Sequence, residues 1–213
     1  MVSIIVVTYG RPDLIAKFLS NLPVMAHPHE LVIVDNKPDE AVRRVLEGFA
    51  MHRPVQLAFN SENVGFGPAC NQGAALAQYP VLVFTQPDVS VLEDITKKVQ
   101  GLEDNVLYGA RLLSGNTGWN KFGDVIVPYL EGYFIACTRT TWTSIGGFDP
   151  EIVPADFEDV DLSYTAAQKG VQLKQLDVQV VHRPGGHWNG DPQRRTITKS
   201  NRAYFAHKHG LTL

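Results

Sequence analysis

Apolar residues recur in the first half of the chain as short runs that alternate with helical patterns. Val2–Thr8 is a continuous run rich in β-branched residues, which is typical of a strand buried on both faces of a parallel sheet. Similar runs predict further strands at Leu31–Val34, Val55–Phe59 and Val81–Thr85. Helical patterns lie between them at about Pro12–Leu22, Asp39–Met51 and Pro68–Gln78. The alternation predicts an α/β fold, an open, mostly parallel, Rossmann-like twisted sheet with helices on both faces.

The second half of the chain alternates less regularly. Its patterns predict helices at Val91–Leu102, Thr141–Ile145, Asp156–Lys169 and Thr198–His209. They predict strands within Val106–Leu113, Val125–Thr138 and Val171–Val181. Neither an internal repeat nor a low-complexity linker interrupts the sequence, so residues 1–213 are predicted to form a single domain with a smaller second half.

Composition narrows the class of protein. The 213 residues are 44% hydrophobic and 19% charged, which supplies a full core and too little charge for a disordered chain. The longest apolar runs, such as Ile4–Val7, are far shorter than the roughly 18 residues of a membrane span, and no signal-peptide pattern opens the chain. Cys70 and Cys137 lie far apart, which argues against a disulfide framework and a structural zinc site. We therefore expect a cytoplasmic protein without a transmembrane segment.

The charge is unevenly distributed along the chain. The formal net charge of −3 gives the whole protein no preference for a polyanion. From residue 168 to the end, however, eight basic residues are opposed only by Asp177 and Asp191. Such a segment is either an ordinary solvated surface or a surface for the phosphates of a donor, an acceptor or a membrane headgroup.

Polar residues follow each predicted strand of the first half. The four strand ends carry Thr8-Tyr9-Gly10-Arg11, Asp35-Asn36, Asn60 with Asn63, and Gln86-Pro87-Asp88. Open parallel sheets bind ligands outside the carboxyl ends of their strands, so this pattern predicts a ligand crevice at one edge. The chain contains neither G-x-G-x-x-G nor G-x-x-x-x-G-K-[ST], which argues against dinucleotide-dependent hydride transfer and against the phosphate loop of nucleoside triphosphatases.

Five sequence blocks in this order resemble the small, inverting, nucleotide-sugar-dependent glycosyltransferases of family 2, which have the GT-A fold. The blocks are Val2–Asp13, Ile33–Asn36, Asn63–Gly73, Thr85–Val89 and Gly146–Leu162. The first four are most similar to rhamnosyl- and galactofuranosyltransferase-like members. The resemblance implies transfer of a sugar from a nucleotide-diphosphate donor to an acceptor hydroxyl. It assigns residues 1–90 to nucleotide-sugar binding, 91–182 to the acceptor and catalysis, and 183–213 to a basic C-terminal lid and helix.

The resemblance implies a donor site on the first strand ends. A uracil or thymine would lie among Thr8, Tyr9 and Asp35. The Asp35 carboxylate can accept the N3–H of those rings, whereas N3 of cytosine carries no hydrogen. Arg11 would lie near the diphosphate of a UDP- or dTDP-sugar. The residues expected near the nucleoside and the sugar are Asn63 and Asn71.

The resemblance also implies a metal site. The family's motif is Asp-x-Asp or Asn-Pro-Asp, and here it is Gln86-Pro87-Asp88. Asp88 and His182 would hold Mn²⁺ or Mg²⁺ together with diphosphate oxygens and water. His182 could instead be a strand-end surface residue, and the other candidates, His187, His207 and His209, are expected at the surface.

Two other classes of protein compete with this interpretation. Gln86 lacks the first carboxylate of the motif. The protein could therefore be a degenerate module that binds a sugar nucleotide or a glycan without turnover. A sugar-nucleotide pyrophosphorylase shares the sheet type, but it would need a Gly-rich phosphate loop directly after the first strand, and that loop is missing from the sequence.

The block Phe157–Leu162 resembles the motif that carries the family's general base. It implies Asp159 as the base, Glu158 as its catalytic partner, and Asp161 as an acceptor contact. The alternative is that these acids only stabilise a helix N-terminus, although three acids in four positions repel one another. Further acceptor contacts are expected from the second half of the chain, at Glu131, Trp119 and Trp142.

The acceptor is left open among a glycan, a lipid-linked glycan, a protein and a nucleic acid. Gly185–Gln193 is predicted to be either a mobile lid over the donor or an ordinary exposed loop. Arg194 and Arg195, which follow it, are candidates to offset charge on the leaving diphosphate.

Overall fold

The structure, a computed structural model, describes residues 1–23, 25–37, 39–183 and 191–213. Its helices are α1 (Pro12–Ser20), α2 (Glu40–Ala50), α3 (Phe66–Leu76), α4 (Ile95–Lys98), α5 (Arg139–Ile145), α6 (Glu158–Gln168) and α7 (Arg194–Lys208). Its strands are β1 (Val2–Thr8), β2 (His29–Asp35), β3 (Gln56–Phe59), β4 (Val81–Thr85), β5 (Val89–Val91), β6 (Val106–Gly109), β7 (Leu112–Leu113), β8 (Lys121–Phe122), β9 (Val125–Ile126), β10 (Tyr129–Leu130), β11 (Phe134–Thr138), β12 (Gln172–Gln175) and β13 (Val180–His182).

Seven strands form the central sheet, in the order β12-β6-β11-β4-β1-β2-β3. All neighbouring strands in it are parallel except where β11 pairs with β4 and β6. The predicted α/β fold with a mostly parallel sheet is therefore confirmed. The sheet runs through both halves of the chain, because β11 from the second half pairs with β4 from the first.

Helices cover both faces of the sheet, because successive side chains of a strand point to opposite sides. Ile5 and Val7 of β1 belong to the core under α3, α5 and α6. Ile4 and Val6 belong to the core under α1, α2 and α4. A Cβ added at Gly73 of α3 would lie 2.4 Å from Ile5 Cγ2, so glycine is what lets this helix approach β1 so closely.

Local signals fix the ends of several helices. The Asp39 carboxylate accepts a hydrogen bond from Ala41 N at 2.8 Å and caps α2. Thr138 caps α5 through its hydroxyl, and Gly146 ends that helix in the left-handed conformation, with φ at 95°. Pro12 opens α1 in its first turn, as the sequence predicted.

A third cluster attaches α7 to the second half. The ring of Phe205 lies 5.0 Å from that of Phe122 in the β8–β9 hairpin and 5.9 Å from that of Phe157, which precedes α6. Asn201 Nδ2 donates to the carbonyls of residues 153, 155 and 156 at 3.0–3.3 Å. The C-terminal helix therefore holds the loop that leads into α6.

Three predictions for the second half were wrong. The helix predicted at Val91–Leu102 shrinks to α4, because Val89–Val91 pairs with β13 as a strand and the Asp94 side chain caps a helix that begins at Ile95. The strand predicted at Val125–Thr138 is divided into β9, β10 and β11. Trp142 is only 8% exposed and its ring lies 4.4 Å from that of Phe84, so it belongs to the core and not to an acceptor surface. Within the ranges that the structure describes, no helix is long and apolar enough to span a bilayer.

Candidate active site

Five loops meet at one edge of the central sheet. The strands β1 to β4 run parallel, so the residues after them, 9–11, 36–37, 60–65 and 86–88, lie at the same edge. Strand β11 runs antiparallel to β4 with Phe134 opposite Thr85, which brings residues 131–133 to that edge as well. The predicted crevice therefore has contributions from both halves of the chain.

Asp35 ends β2 as a buried carboxyl group, 2% exposed. The Thr8 hydroxyl donates to Asp35 Oδ1 at 2.9 Å. Burial raises the pKa of Asp35 to about 6, although the bond from Thr8 opposes the shift. Asp35 lines a cavity of about 220 Å³ together with Arg43, Phe59 and Asn60. An ionised carboxylate at a cavity wall is suited to accept a hydrogen bond from a ring N–H.

Asn36, one of the polar residues predicted at the strand ends, organises the loop beside this cavity. Its Nδ2 donates to Asn63 Oδ1 at 2.8 Å and to Gly65 O at 3.0 Å. Its Oδ1 accepts from Asn60 Nδ2 and Val64 N, both at 3.1 Å. Asn36 is buried and uses its full hydrogen-bonding capacity. Asn63, which was predicted to bind the nucleotide sugar, is thus held in the loop through its amide oxygen, which accepts from Asn36.

Arg11 and Asp88 line a second cavity, of about 280 Å³, together with Lys17 and Arg183. Arg11 has a left-handed backbone, with φ at 54°, and its guanidinium donates to both carboxylate oxygens of Asp13 at 2.8–2.9 Å. This ion pair lowers the pKa of Asp13 to about 2. The cavity therefore combines a candidate metal ligand with three cationic side chains, which favours an anionic ligand.

Tyr9 lies at the same edge, between the ends of β1 and β2. Its side chain is 41% exposed, and Lys37 Nζ lies 5.3 Å from the centre of its ring. An exposed ring at this position can stack on a nucleobase.

The two predicted metal ligands lie together. His182 Nε2 is 3.5 Å from Asp88 Oδ2, because β13 pairs antiparallel with β5 and places His182 opposite Val89. Asp88 Oδ1 is buried and has no hydrogen-bond partner in the part of the chain that the structure describes. A buried carboxylate oxygen without a partner is costly, and a bound ion would satisfy it.

The donor atoms at this position fit a divalent cation that brings further ligands with it. One carboxylate and one imidazole suit Mn²⁺ or Mg²⁺. Among the described side chains, no group of three or more His, Cys, Asp and Glu could hold a metal ion. Oxygens from a ligand and from water would have to complete the coordination. Gln86 stands where the family motif has an acid or Asn, so the motif supplies one carboxylate, that of Asp88.

Gly132 and Tyr133, the two residues directly before β11, connect the metal ligands with the predicted base. The ring of Tyr133 is stacked on that of His182, with centroids 4.5 Å apart and planes at 23°. Gly132 N donates to Asp159 Oδ2 at 2.9 Å. Neither residue could be singled out from the sequence, because both contacts depend on how β11 pairs in the sheet.

Asp159, the predicted base, lies partly buried in the first turn of α6. Its Oδ1 accepts from Val160 N at 2.8 Å, and its Oδ2 accepts from Gly132 N. Burial raises the pKa of Asp159 to about 6, and these two N–H groups limit the shift. A carboxylate that is ionised at neutral pH and has a pKa close to that pH suits general-base chemistry.

Glu158 is a second buried carboxyl group, 8% exposed. Its Oε2 has no hydrogen-bond partner among the residues that the structure describes. Burial, and then the charge of Asp159, raise the pKa of Glu158 well above its ordinary value. The two adjacent carboxyl groups repel each other when both are charged, so they ionise in separate steps, and the stronger burial of Glu158 favours ionisation of Asp159 first.

Asp161, predicted to contact the acceptor, faces the C-terminal helix. It is 2% exposed, and its two oxygens accept from Lys208 Nζ at 2.8 Å. His209 Nε2 lies 2.8 Å from Asp161 Oδ1. These contacts favour a structural role for Asp161. The expectation that His209 lies at the surface was wrong, since its side chain is 12% exposed and its ring packs against Phe205.

Asn71 and Glu131 have contrasting surroundings. Asn71 uses both ends of its carboxamide on the backbone of Phe148, donating to O and accepting from N at 2.9 Å each, which favours a structural role. Glu131 lies at the sheet edge directly before Gly132, and its carboxylate is 3.5 Å from Arg111. Glu131 therefore lies near the predicted general base. The hydrogen bonds of Asn71 connect α3 with the segment around Phe148.

Acids of the body neutralise much of the basic C-terminal segment. Ion pairs join Arg194 to Asp156 at 3.1 Å, Lys174 to Glu103 at 3.1 Å, and Lys208 to Asp149 at 2.7 Å. Arg195 is exposed. Residues 184–190, which include His187 and most of the predicted lid Gly185–Gln193, lie outside the described residues.

The fold is an open, mostly parallel α/β sheet with a polar crevice at the carboxyl ends of its strands. The sequence profile of glycosyl transferase family 2 matches residues 3–148, more than half of the chain. The chain therefore belongs to glycosyl transferase family 2. The expected rhamnosyl- or galactofuranosyltransferase-like subtype stays a prediction, and no curated protein matches the sequence.

Solved structures share the fold. A mannosyltransferase from Pyrobaculum calidifontis, in complex with GDP-Man and Mn²⁺, superposes with a TM-score of 0.73 at 20% identity over 97% of this chain and 64% of that one. GalNAc-T7 with UDP, GalNAc and Mn²⁺ gives 0.68 at 14% identity, over 97% and 47%. S. aureus TarS 1–349 gives 0.60 at 14% identity, over 84% and 58%. The chain thus spans less than two thirds of these proteins, and the likeness confirms the GT-A fold.

Proposed function

We propose that this protein transfers a sugar from a nucleotide-diphosphate donor to an acceptor hydroxyl, with inversion at the anomeric carbon. The observation that carries the proposal is the pairing of Asp88 with His182 at the edge where Asp159 also lies. Three residues from distant parts of the sequence are brought to one edge in the roles that family membership implies. The crevice would hold the nucleobase at Asp35, the diphosphate at Asp88 and the acceptor at Asp159.

Asp35 would select the nucleobase. Its ionised carboxylate accepts the N3–H of uracil or thymine, and it can equally accept the N1–H of guanine. Cytosine and adenine present an acceptor at the corresponding ring nitrogen and would be rejected. The proposed donors are therefore UDP- and dTDP-sugars, and GDP-sugars belong in the same test, since the mannosyltransferase with the similar fold holds GDP-Man.

Asp88 and His182 would hold Mn²⁺ or Mg²⁺ against the donor diphosphate. A bound divalent cation supplies positive charge to the leaving oxygens. Arg11, which lines the same cavity as Asp88, would add to this stabilisation. Arg194, considered for this role from the sequence, is instead paired with Asp156.

Asp159 would remove the proton of the acceptor hydroxyl while that oxygen forms a bond to the anomeric carbon. The bond from this carbon to the diphosphate oxygen breaks on the opposite face, and the nucleoside diphosphate leaves with the bonding electrons. A single displacement of this kind inverts the centre. Gly132 N–H would hold the Asp159 carboxylate in place, and the raised pKa of Glu158 would make Asp159 the first of the two to ionise.

The test is an assay of donor turnover with a panel of nucleotide sugars. UDP-, dTDP-, GDP- and CDP-sugars would be incubated with the protein, with Mn²⁺, with Mg²⁺ and with EDTA. Release of UDP, dTDP or GDP that needs a divalent cation, with none from CDP-sugars, is expected. Turnover that is equal for all four donors, or unchanged by EDTA, would contradict the proposal.

A sugar-nucleotide or glycan-binding module without turnover is the second candidate. Gln86 in place of an acid favours it, as does the lack of a third protein ligand beside Asp88 and His182 within the described residues. The same panel separates the two functions. Thermal stabilisation by a nucleotide sugar without release of its nucleoside diphosphate, in the presence of several acceptors, would identify a binding module.

A further inference from the structure

The β8–β9 hairpin carries an exposed apolar surface. Trp119, just before it, is 44% exposed, Val125 is 46% exposed and Ile126 is 40% exposed. Lys121 is paired with Ile126, so a cationic and an aliphatic side chain lie side by side on the outer face of the hairpin. The neighbouring Phe122 is buried in the third core cluster and anchors the hairpin to the body.

Helix α7 adds a row of cations that leads onto this hairpin. Arg195, Lys199 and Arg202 follow a spacing of four and three residues, which places them on one face of the helix. Arg202 Nε donates to Trp119 O at 3.0 Å, and its guanidinium lies 4.6 Å from the centre of the Phe122 ring. Val125 lies opposite Phe122, on the other face of the hairpin from Lys121 and Ile126. We call six residues the α7–hairpin surface: Trp119, Lys121, Ile126, Arg195, Lys199 and Arg202.

The cations of this surface differ from the other basic residues of the C-terminal segment. Arg194, Lys174 and Lys208 are bound by acids of the body. Arg195 and Lys199 are exposed and form no ion pair with any residue that the structure describes. The acids on the same segments are Asp124 in the hairpin turn and Asp191 before α7. The surface therefore remains cationic on a protein whose net charge is −3.

We propose that the α7–hairpin surface binds the surface of an anionic lipid bilayer. Exposed apolar side chains grouped with cations are what an interfacial site requires, since the apolar groups enter the headgroup region and the cations attract the lipid charge. Tryptophan in particular favours the interface between water and lipid. A soluble polyanion would need the cations alone and leaves the exposed side chains of Trp119 and Ile126 unexplained.

Vesicle sedimentation tests this proposal without any nucleotide sugar, so its outcome is independent of the proposed function. The full chain would be mixed with vesicles of phosphatidylcholine alone and of phosphatidylcholine with phosphatidylglycerol. Binding is expected only to the second kind and should weaken with salt. Arg195→Glu with Lys199→Glu should reduce binding by at least about tenfold. Trp119→Ser with Ile126→Ser should also reduce it, at unchanged net charge.

Matched controls place the same changes elsewhere on the surface. Arg44→Glu with Lys97→Glu alters the charge equally on α2 and α4, and Met51→Ser with Leu92→Ser removes two exposed apolar side chains. Neither control should change vesicle binding, and thermal unfolding would verify that every variant folds. No binding to the anionic vesicles, or equal losses in the controls, would overturn the proposal. Polyphosphate binding as strong as vesicle binding, with no effect of the Trp119 and Ile126 changes, would assign the surface to a soluble polyanion instead.

Discussion

Replacing Asp159 with Asn tests the division of charge between the two buried carboxyl groups. Asn keeps the shape of the side chain and can still accept the Gly132 N–H that now lies 2.9 Å from Asp159 Oδ2. Because Asn has one acceptor oxygen and Asp has two, the variant also loses the hydrogen bond from Val160 N. Loss of the basicity of a general base typically costs about 10²–10⁴-fold in rate. Because the pKa of Asp159 is about 6, the wild-type rate should fall as the pH drops below that value, and the variant should lose this dependence.

The same substitution should not destabilise the protein at neutral pH. Folding raises the pKa of Asp159 from 3.8 to about 6, so its ionised form costs stability above pH 6, and this cost vanishes below pH 3.8, where the group is protonated in both states. A shift of this size corresponds to at most about 3 kcal/mol. The backbone hydrogen bond that Asn cannot accept costs about 1–3 kcal/mol and offsets this gain. We therefore expect a Tm for Asp159→Asn close to the wild-type value at pH 7, with the difference moving in favour of the wild type in acid.

Glu158→Gln is the matched control. Burial raises the pKa of Glu158 well above its ordinary value, and Gln matches the neutral form that this shift favours, so the transfer rate should stay within about tenfold of the wild-type rate. Transfer rate and donor affinity would be measured on the same preparations from about pH 5 to about pH 8. Near-normal transfer by Asp159→Asn would refute the assignment of the base. If Glu158→Gln lowers the transfer rate as much as Asp159→Asn does, the negative charge is not carried mainly by Asp159.

Three further predictions concern the donor side. Asp88→Ala should remove most Mn²⁺-dependent donor binding in calorimetry, and unchanged affinity would place the metal elsewhere. Thermal shifts should be seen with UDP, dTDP or GDP and not with CDP, and they should weaken below pH 6, where Asp35 becomes protonated; equal shifts from all four would show that Asp35 does not contact the base. Tyr133→Leu should weaken Mn²⁺ binding by about 2- to 12-fold, the value of a ring stack of about 0.5–1.5 kcal/mol, while Tyr133→Phe retains it. Equal affinity in the Leu and Phe variants would refute a positioning role for this ring.

The donor side of the fold could be predicted from the sequence because its signals are local. Val2–Thr8 and Val81–Thr85 are buried strands with the predicted bounds, since apolar β-branched runs of this length fit a sheet covered on both faces. Polar residues directly after such strands must reach the same edge when the strands are parallel. The positions of Asp35 and Asp88 therefore followed from strand order alone.

The acceptor side was less predictable because its contacts are tertiary. The apolar residues of Val89–Val91 continue a helical pattern, but pairing with β13 makes them a strand. Asp161 and Asp159 are two acids in one helical turn, and only the docking of α7 shows that Lys208 and His209 bind the first and not the second. The different surroundings of Asp159 and Glu158 likewise depend on β11 and on burial, which residue types do not encode.

The start of β11 makes the two halves of the site mechanically dependent on each other. A Cβ at Gly132 would lie 3.1 Å from the Cβ of Asp159, so the absence of a side chain is what lets this backbone N–H reach the carboxylate. The next residue, Tyr133, is stacked on His182, which contacts Asp88. Phe134 then enters the sheet opposite Thr85, only three positions before Asp88. A displacement of this strand would move the base and the metal ligand together, so their relative position is set by the sheet and not by the loops that carry them.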